Sequence, residues 1–281
     1  MDDKKVFLLG IGAQKCGTTW LEAQLAKQPF FSNGGVKEFH IFNKLHQERA
    51  LGKIARRKKS SLPNLLTLGE AMRLSPKLYF DHFDYLFYRD PNVSHVGDIT
   101  PAYSTLSRKK FRLIKSGLES KQFKIKLIFL MRDPAERVWS QLRMNNRLQK
   151  ERKNKPQPSA DQEREQLKLF YKSRFCQKRT RYEKIITNIE SIFNQECIYY
   201  GFYENLFQQA EVSRLTDFLE CPSIKPDFKH VVHASPKQEE RIDEMDELLA
   251  EIRNHYSSTY KWIQDRFQDK VPTSWKTNAE H

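Results

Sequence analysis

Two groups of residues in this chain have the types and spacing to grip an anion. Near the start stand Gly10, Gly12, Lys15, Cys16, Gly17, Thr18 and Thr19. Glycine lets backbone N–H groups approach a ligand closely, lysine brings a full charge, and the hydroxyls add donors. Far downstream come Arg132, Asp133, Pro134, Glu136, Arg137 and Ser140. An arginine suits a phosphate because its planar fork can give two charge-assisted hydrogen bonds to one group. Between the two groups lie side chains able to take a proton: Glu38, His40 and Asp98.

The elements that must position these residues can be read from the hydrophobic pattern. Val6 to Ile11 is an unbroken apolar run, and Leu21 and Leu25 fall four apart after the glycine turn. That is a strand, a phosphate-sized loop and a helix, whose first free N–H groups and dipole favour an anion. Ile125 to Met131 is a second strand. It leads into a helix start with Asp133 as N-cap, Pro134 in the first position and Glu136 completing a capping box. Asp98 stands at a strand end, able to orient a hydroxyl or Lys15, or else to cap a turn before Pro101. A Walker loop fails, since Thr18 stands where its lysine belongs, and a dinucleotide fingerprint fails because Lys15 replaces its third glycine.

The stretch GAQKCGTTWL resembles the 5'-phosphosulfate loop of sulfotransferases that use 3'-phosphoadenosine 5'-phosphosulfate (PAPS), and RDPAERVWS resembles their 3'-phosphate motif. The resemblance implies a donor site made of Lys15, Cys16, Gly17, Thr18, Thr19 and Trp20 on one side and Arg132 and Ser140 on the other. Tyr182, by position, and Ser235 and Lys237, in the loop HVVHASPKQ, join it as further nucleotide contacts. GGVKEFHIF is closest to the subgroup that sulfates glycans, including the heparan sulfate and bacterial enzymes, and implies Glu38 as general base. Lys15 would stabilise the departing phosphate, and His40 and Asp98 are the alternative proton acceptors. Cys16 lies among cations that could lower its pKa, yet it is read as a loop filler. Tyr203 to Leu206, YENL, is similar to a strand end of the family. One residue departs from the heparan type: in GDITPAYS, Ile99 occupies the place of a lysine.

The expected fold class is α/β, a central parallel sheet flanked by helices on both faces in the P-loop-NTPase-like sulfotransferase arrangement. The 281 residues suit one domain, 1–281, with 45–64 and 149–166 expected as mobile loops or insertions. Helical patterns cover Thr67 to Arg89, Arg179 to Phe193 and Glu239 to Arg266, and Cys197 to Tyr203 reads as a third buried strand. No run is long enough to span a membrane, and four cysteines without metal or redox spacing fit a reducing compartment. A cytoplasmic protein is therefore expected. The formal charge of +14, with the run Arg56 to Lys59, suits polyanionic partners.

The expectation is transfer of a sulfuryl group from PAPS, leaving 3'-phosphoadenosine 5'-phosphate (PAP), to a hydroxyl or amine of an acceptor. That acceptor is a carbohydrate or glycosylated metabolite, with no metal and no nucleic-acid partner. The alternatives are a sulfotransferase of a small phenol, alcohol or lipid; a nucleotide kinase of the same broad fold; and a non-catalytic basic module that binds anions.

Overall fold

Apolar runs that are buried on both faces can only be interior strands, and they order the molecule. The structure is a computed structural model describing residues 5–45, 67–228 and 243–276. Strands β1 (Val6–Gly12), β2 (Phe31–Ser32), β3 (His95–Ile99), β4 (Lys124–Met131) and β5 (Ile198–Phe202) form one parallel sheet in the order β2-β3-β1-β4-β5. Every residue of β1 is buried. Its neighbours, β3 and β4, lie on opposite sides of it, so the chain segments leaving β1, β3 and β4 open a crevice at the carboxyl edge, the usual ligand position in such sheets.

Helices cover both faces: α1 (Thr18–Leu25), α2 (Leu68–Leu74), α3 (Pro76–Arg89), α4 (Arg108–Glu119), α5 (Pro134–Lys153), α6 (Ala160–Phe170), α7 (Arg174–Thr180), α8 (Tyr182–Glu190), α9 (Gln209–Leu219), α10 (Asp243–His255), α11 (Ser257–Phe267) and α12 (Thr273–Lys276). A short 3-10 turn, Pro101–Thr105, follows β3. The main core surrounds the sheet, and a smaller cluster forms where α5, α6, α7 and α10 meet, around Val138, Leu142, Leu167 and Leu249.

Three segments differ from the sequence expectation, each for a local reason. The segment 149–166 is largely helical. Helix α5 continues to Lys153 and ends at Asn154 with φ of 50°, and α6 begins after Ser159 in a complete capping box with Gln162. Charged composition there supports helix through neighbouring pairs such as Arg164 with Asp161 and Lys168 with Glu165. The stretch Thr67 to Arg89 is two helices, because Ser75 precedes Pro76 and is held extended at φ −135°. The C-terminal helix likewise breaks at Tyr256, a buried residue whose hydroxyl donates to the Tyr171 carbonyl at 2.7 Å. The basic run Arg56 to Lys59 lies outside the described residues.

Candidate active site

The glycine loop is built as its residue types demand. Gly17 sits before α1 at φ 86°, and a β-carbon there would come within 2.5 Å of Leu206 Cδ2. Gly12, at φ 130°, would bring one within 2.7 Å of the Pro101 carbonyl. Neither position accepts a side chain. The first turn of α1 contains no acidic residue, so its N–H groups and dipole face the loop uncompensated.

Around that helix start the charges are positive. Burial lowers the pKa of the Lys15 ammonium, and the nearby charges of Arg147, Arg132 and Lys37 lower it further. Arg132 and Arg147 are each partly offset, by Glu136 at 3.4 Å and Glu151 at 3.7 Å, and a bound anion would lower the repulsion that remains. Arg132, only 9% exposed, ends β4 with its guanidinium 4.6 Å above the Tyr203 ring and 3.4 Å from Glu136. Glu136 therefore reaches Arg132, while Asp133 still caps α5 by accepting from the Glu136 N–H at 3.0 Å. Ser140 lies half-buried on α5, and Arg147 follows seven residues later, two turns along the same face.

The YENL stretch ties these loops together. Tyr203 lies beneath Arg132, Glu204 accepts from the Asp133 N–H at 2.9 Å, and Tyr203 and Leu206 pack against Gly17. Arg179 of α7 donates to Gln14 Oε1 at 2.8 Å, fixing the loop from the other side.

Several expected contacts take a different form. Tyr182 is fully buried; its hydroxyl donates to the Arg132 carbonyl at 2.8 Å, so the side chain braces Arg132 from within. Trp20 is 4% exposed, with its indole stacked near Phe228 and edge-on to Phe207, which leaves its backbone N–H as the group it offers the loop. Cys16 is buried, and that burial raises its thiol pKa to about 12 against the opposing pull of Arg137 and Arg132. The expectation that cations would lower it is thus corrected. Thr18 is buried and Thr19 half-buried at the helix start. Ser235 and Lys237 lie outside the described residues.

The proton-handling residues form two linked groups. In the first, His40 Nε2 lies 2.8 Å from Glu38 Oε2 and His40 Nδ1 lies 3.2 Å from Asn43 Nδ2. An amide nitrogen donates, so Nδ1 accepts and the proton sits on Nε2, facing the carboxylate. Glu38 and His40 are each about one-third exposed. In the second, Asp98 is 1% exposed and accepts from Thr100 Oγ1 at 2.6 Å and Tyr79 OH at 2.9 Å. Burial raises its carboxyl pKa to about 6. Thr100 Oγ1 in turn accepts from the Phe39 N–H, and Tyr103 OH from the Ile41 N–H, both at 3.1 Å. Asp98, which is also hydrogen-bonded to Tyr103, is thus linked through the Thr100 and Tyr103 hydroxyls to the backbone either side of His40.

Sequence reasoning missed two residues here, Arg147 and Glu22, and Lys37 enters it only as the partner of Glu38 in the Lys-Glu pair. Arg147 was readable by its two-turn spacing from Ser140. Glu22 was not: it lies on α1, 7% exposed, accepting from Asn33 at 3.1 Å, with its pKa raised to about 7 by burial.

The model of the sulfotransferase domain family matches residues 3–268. This chain belongs to the sulfotransferase family. Among solved structures it is similar to a sulfotransferase from Alicyclobacillus acidocaldarius, at 16% identity over 96% of this chain and 98% of that one, with a TM-score of 0.57. It also matches the sulfotransferase domain of the Synechococcus PCC 7002 olefin synthase at 16% identity, 90% and 94% coverage and a TM-score of 0.44. The sulfotransferase domain from the curacin biosynthetic pathway matches at 17% identity, 82% and 78% coverage and a TM-score of 0.43. No curated protein matches the chain. The first of these likenesses supports the fold of this sulfotransferase. Among its described residues no helix is long and apolar enough to cross a membrane, and no group of His, Cys, Asp or Glu is arranged for a metal ion.

Proposed function

We propose that this sulfotransferase transfers a sulfuryl group from PAPS to a hydroxyl of a carbohydrate acceptor, with Glu38 as the general base. The observation that carries the reading is the convergence of Lys15, Lys37, Arg132 and Arg147 on the bare N-terminus of α1. A polyanion bearing phosphates at two ends fits that set, because it relieves the mutual repulsion of the cations and meets the unpaired N–H groups of the helix start.

When bound, the donor supplies an activated sulfuryl group whose bond to the phosphate oxygen breaks as the acceptor oxygen bonds to sulfur. The chain's own part is electrostatic and positional. Lys15 and the N–H groups of Gly17 to Thr19 stabilise negative charge on the 5' side. Arg132, held over the Tyr203 ring and braced by Tyr182, binds the 3'-phosphate together with Ser140. Glu38 takes the acceptor proton. The Nε2–H of His40 orients one of its oxygens and leaves the other for the acceptor. A carboxylate held by one hydrogen bond and partly open to solvent stays within reach of an acceptor.

The glycan-type subgroup is favoured by the Lys37-Glu38 pair, and Ile99 sets the site apart from the heparan type. The test is incubation with PAPS and a set of neutral, acidic and phenolic acceptors, followed by mass spectrometry. A sulfated carbohydrate product that vanishes in Glu38→Gln supports the proposal; a sulfated phenol alone, or phosphoryl transfer from ATP, contradicts it.

A further inference from the structure

Beside the donor loop, on the far side of the Pro101–Thr105 turn, the sulfotransferase has an open cavity of about 730 Å³ between that turn, the start of α4, helices α7 and α8, and α11. Its charge is one-sided. Arg108, Arg174, Lys178 and Lys184 line it, all exposed and all without an ion pair among the described residues. Its one carboxylate, Glu183, accepts a hydrogen bond from Thr259 at 2.8 Å and lies 3.9 Å from Arg181, the fifth cation. Helix α4 also begins with Arg108, Lys109 and Lys110 and has no acid in its first turn, the reverse of what its dipole favours. Such an arrangement is unfavourable by itself and becomes favourable when an anion enters.

The rest of the lining limits the kind of anion. Neutral hydrogen-bonding groups, Thr105, Gln177, Thr187 and Asn188, alternate with the cations, and the half-buried Trp262 supplies one flat apolar wall. Hydroxyls, spaced negative charges and an aliphatic ring face are together the surface of an acidic sugar. The cavity also lies next to the glycine loop. Ser104 forms its rim and lies within 3.3 Å of where a Gly12 β-carbon would stand, and Arg179, next to Lys178, holds Gln14 of the loop.

We propose that this cavity is a subsite for the acceptor itself, holding the flank of an acidic oligosaccharide that carries carboxylate or sulfate groups a few units from the reacting hydroxyl. The proposal rests on the carbohydrate reading above. It makes the enzyme one that modifies an already charged chain, with Arg174 and Lys178 selecting for that charge.

The test is calorimetric titration of a chondroitin sulfate hexasaccharide, with and without PAP, into the wild type, Arg174→Glu/Lys178→Glu and the milder Arg174→Gln/Lys178→Gln. The double reversal is expected to weaken hexasaccharide binding at least tenfold and make it less sensitive to salt. The glutamine pair should do so to a smaller extent, and PAP affinity should be unchanged in both. A neutral maltohexaose should not bind, and a variant neutralising Arg56 to Lys59 should behave as wild type. Unchanged hexasaccharide affinity in the double reversal, or loss only on neutralising Arg56 to Lys59, would overturn the subsite. Tighter binding of an RNA hexamer or a glutamate-rich peptide would overturn the carbohydrate assignment. If PAP itself fails to bind the wild type, the donor reading falls while the nucleotide-free titrations still decide on the cavity.

Discussion

His40 Nε2 lies 2.8 Å from Glu38 Oε2, and Asn43 fixes the other ring nitrogen from the far side. The two residues that sequence reading treats as competing bases are therefore in contact, and in the proposed mechanism histidine orients while glutamate accepts. Glu38→Gln should lower kcat by roughly 10²–10⁴-fold, the usual range for removing a general base, with PAP affinity kept within about twofold. His40→Ala should cost less, on the order of tenfold. Steady-state kinetics beside PAP titration separate the two; a His40 variant more damaged than Glu38→Gln would reverse the roles.

Asp98 is expected to act at a distance. Its carboxylate orders the Thr100 and Tyr103 hydroxyls that hold the Phe39 and Ile41 N–H groups. Asn at this position places a donor among donors, which leaves a buried hydrogen bond unmade at about 1–3 kcal/mol. Asp98→Asn should therefore lower kcat about ten- to a hundredfold and lower Tm, while PAP affinity holds. Thr100→Val should follow the same pattern more weakly. A merely structural role would lower Tm without a fall in kcat measured well below the transition.

Arg132 should tolerate no conservative exchange. Lysine keeps the charge but loses both the fork and the guanidinium contact over the Tyr203 ring. Arg132→Lys is expected to weaken PAP binding roughly tenfold and Arg132→Ala roughly a hundredfold, in line with about 1.5–3 kcal/mol for a hydrogen bond to a charged group. Lys15→Ala should fall between them. Equal PAP affinity in the wild type and Arg132→Lys would show that charge alone matters there.

Glu22 gives the fold a pH dependence of defined sign. Burial raises its pKa from the ordinary 4.5 to about 7, so between those values the folded chain keeps a proton that the unfolded chain has released. Stability from this group is full below about pH 4.5, falls as pH rises toward 7 and is lost above it. Glu22→Gln should therefore be more stable than wild type at pH 8, by at most about 3 kcal/mol, and no more stable at pH 4.5. Denaturant melts at the two pH values check this; a destabilised variant at pH 8 would mean that the charged form is the one the fold wants.

The parts of the molecule legible in the sequence were those written by short-range physics. The apolar runs of β1 and β4, the glycine turn before α1 and the Asp133-Pro134 helix start each announce themselves within ten residues. What stayed hidden depends on packing across the chain. Tyr182 as a brace for Arg132 joins residues 50 apart, and the link from Thr100 to Phe39 spans 61. For Cys16, read as a loop filler, only the pKa direction differs, because neighbouring charge is visible in the sequence and burial is not. The segment 149–166, expected as a mobile loop or insertion, is largely helical, and Ser159 and Gln162 stand at capping-box spacing. The short β2 gave no periodic signal, having only two residues.

The most direct test of the account is thermal denaturation with PAP against ATP, AMP and adenosine, since a ligand that binds only the folded state raises Tm. A rise with PAP that exceeds all three others, and that disappears in Arg132→Ala, is the predicted result. A larger rise with ATP, or a PAP effect untouched by Arg132→Ala, would contradict it.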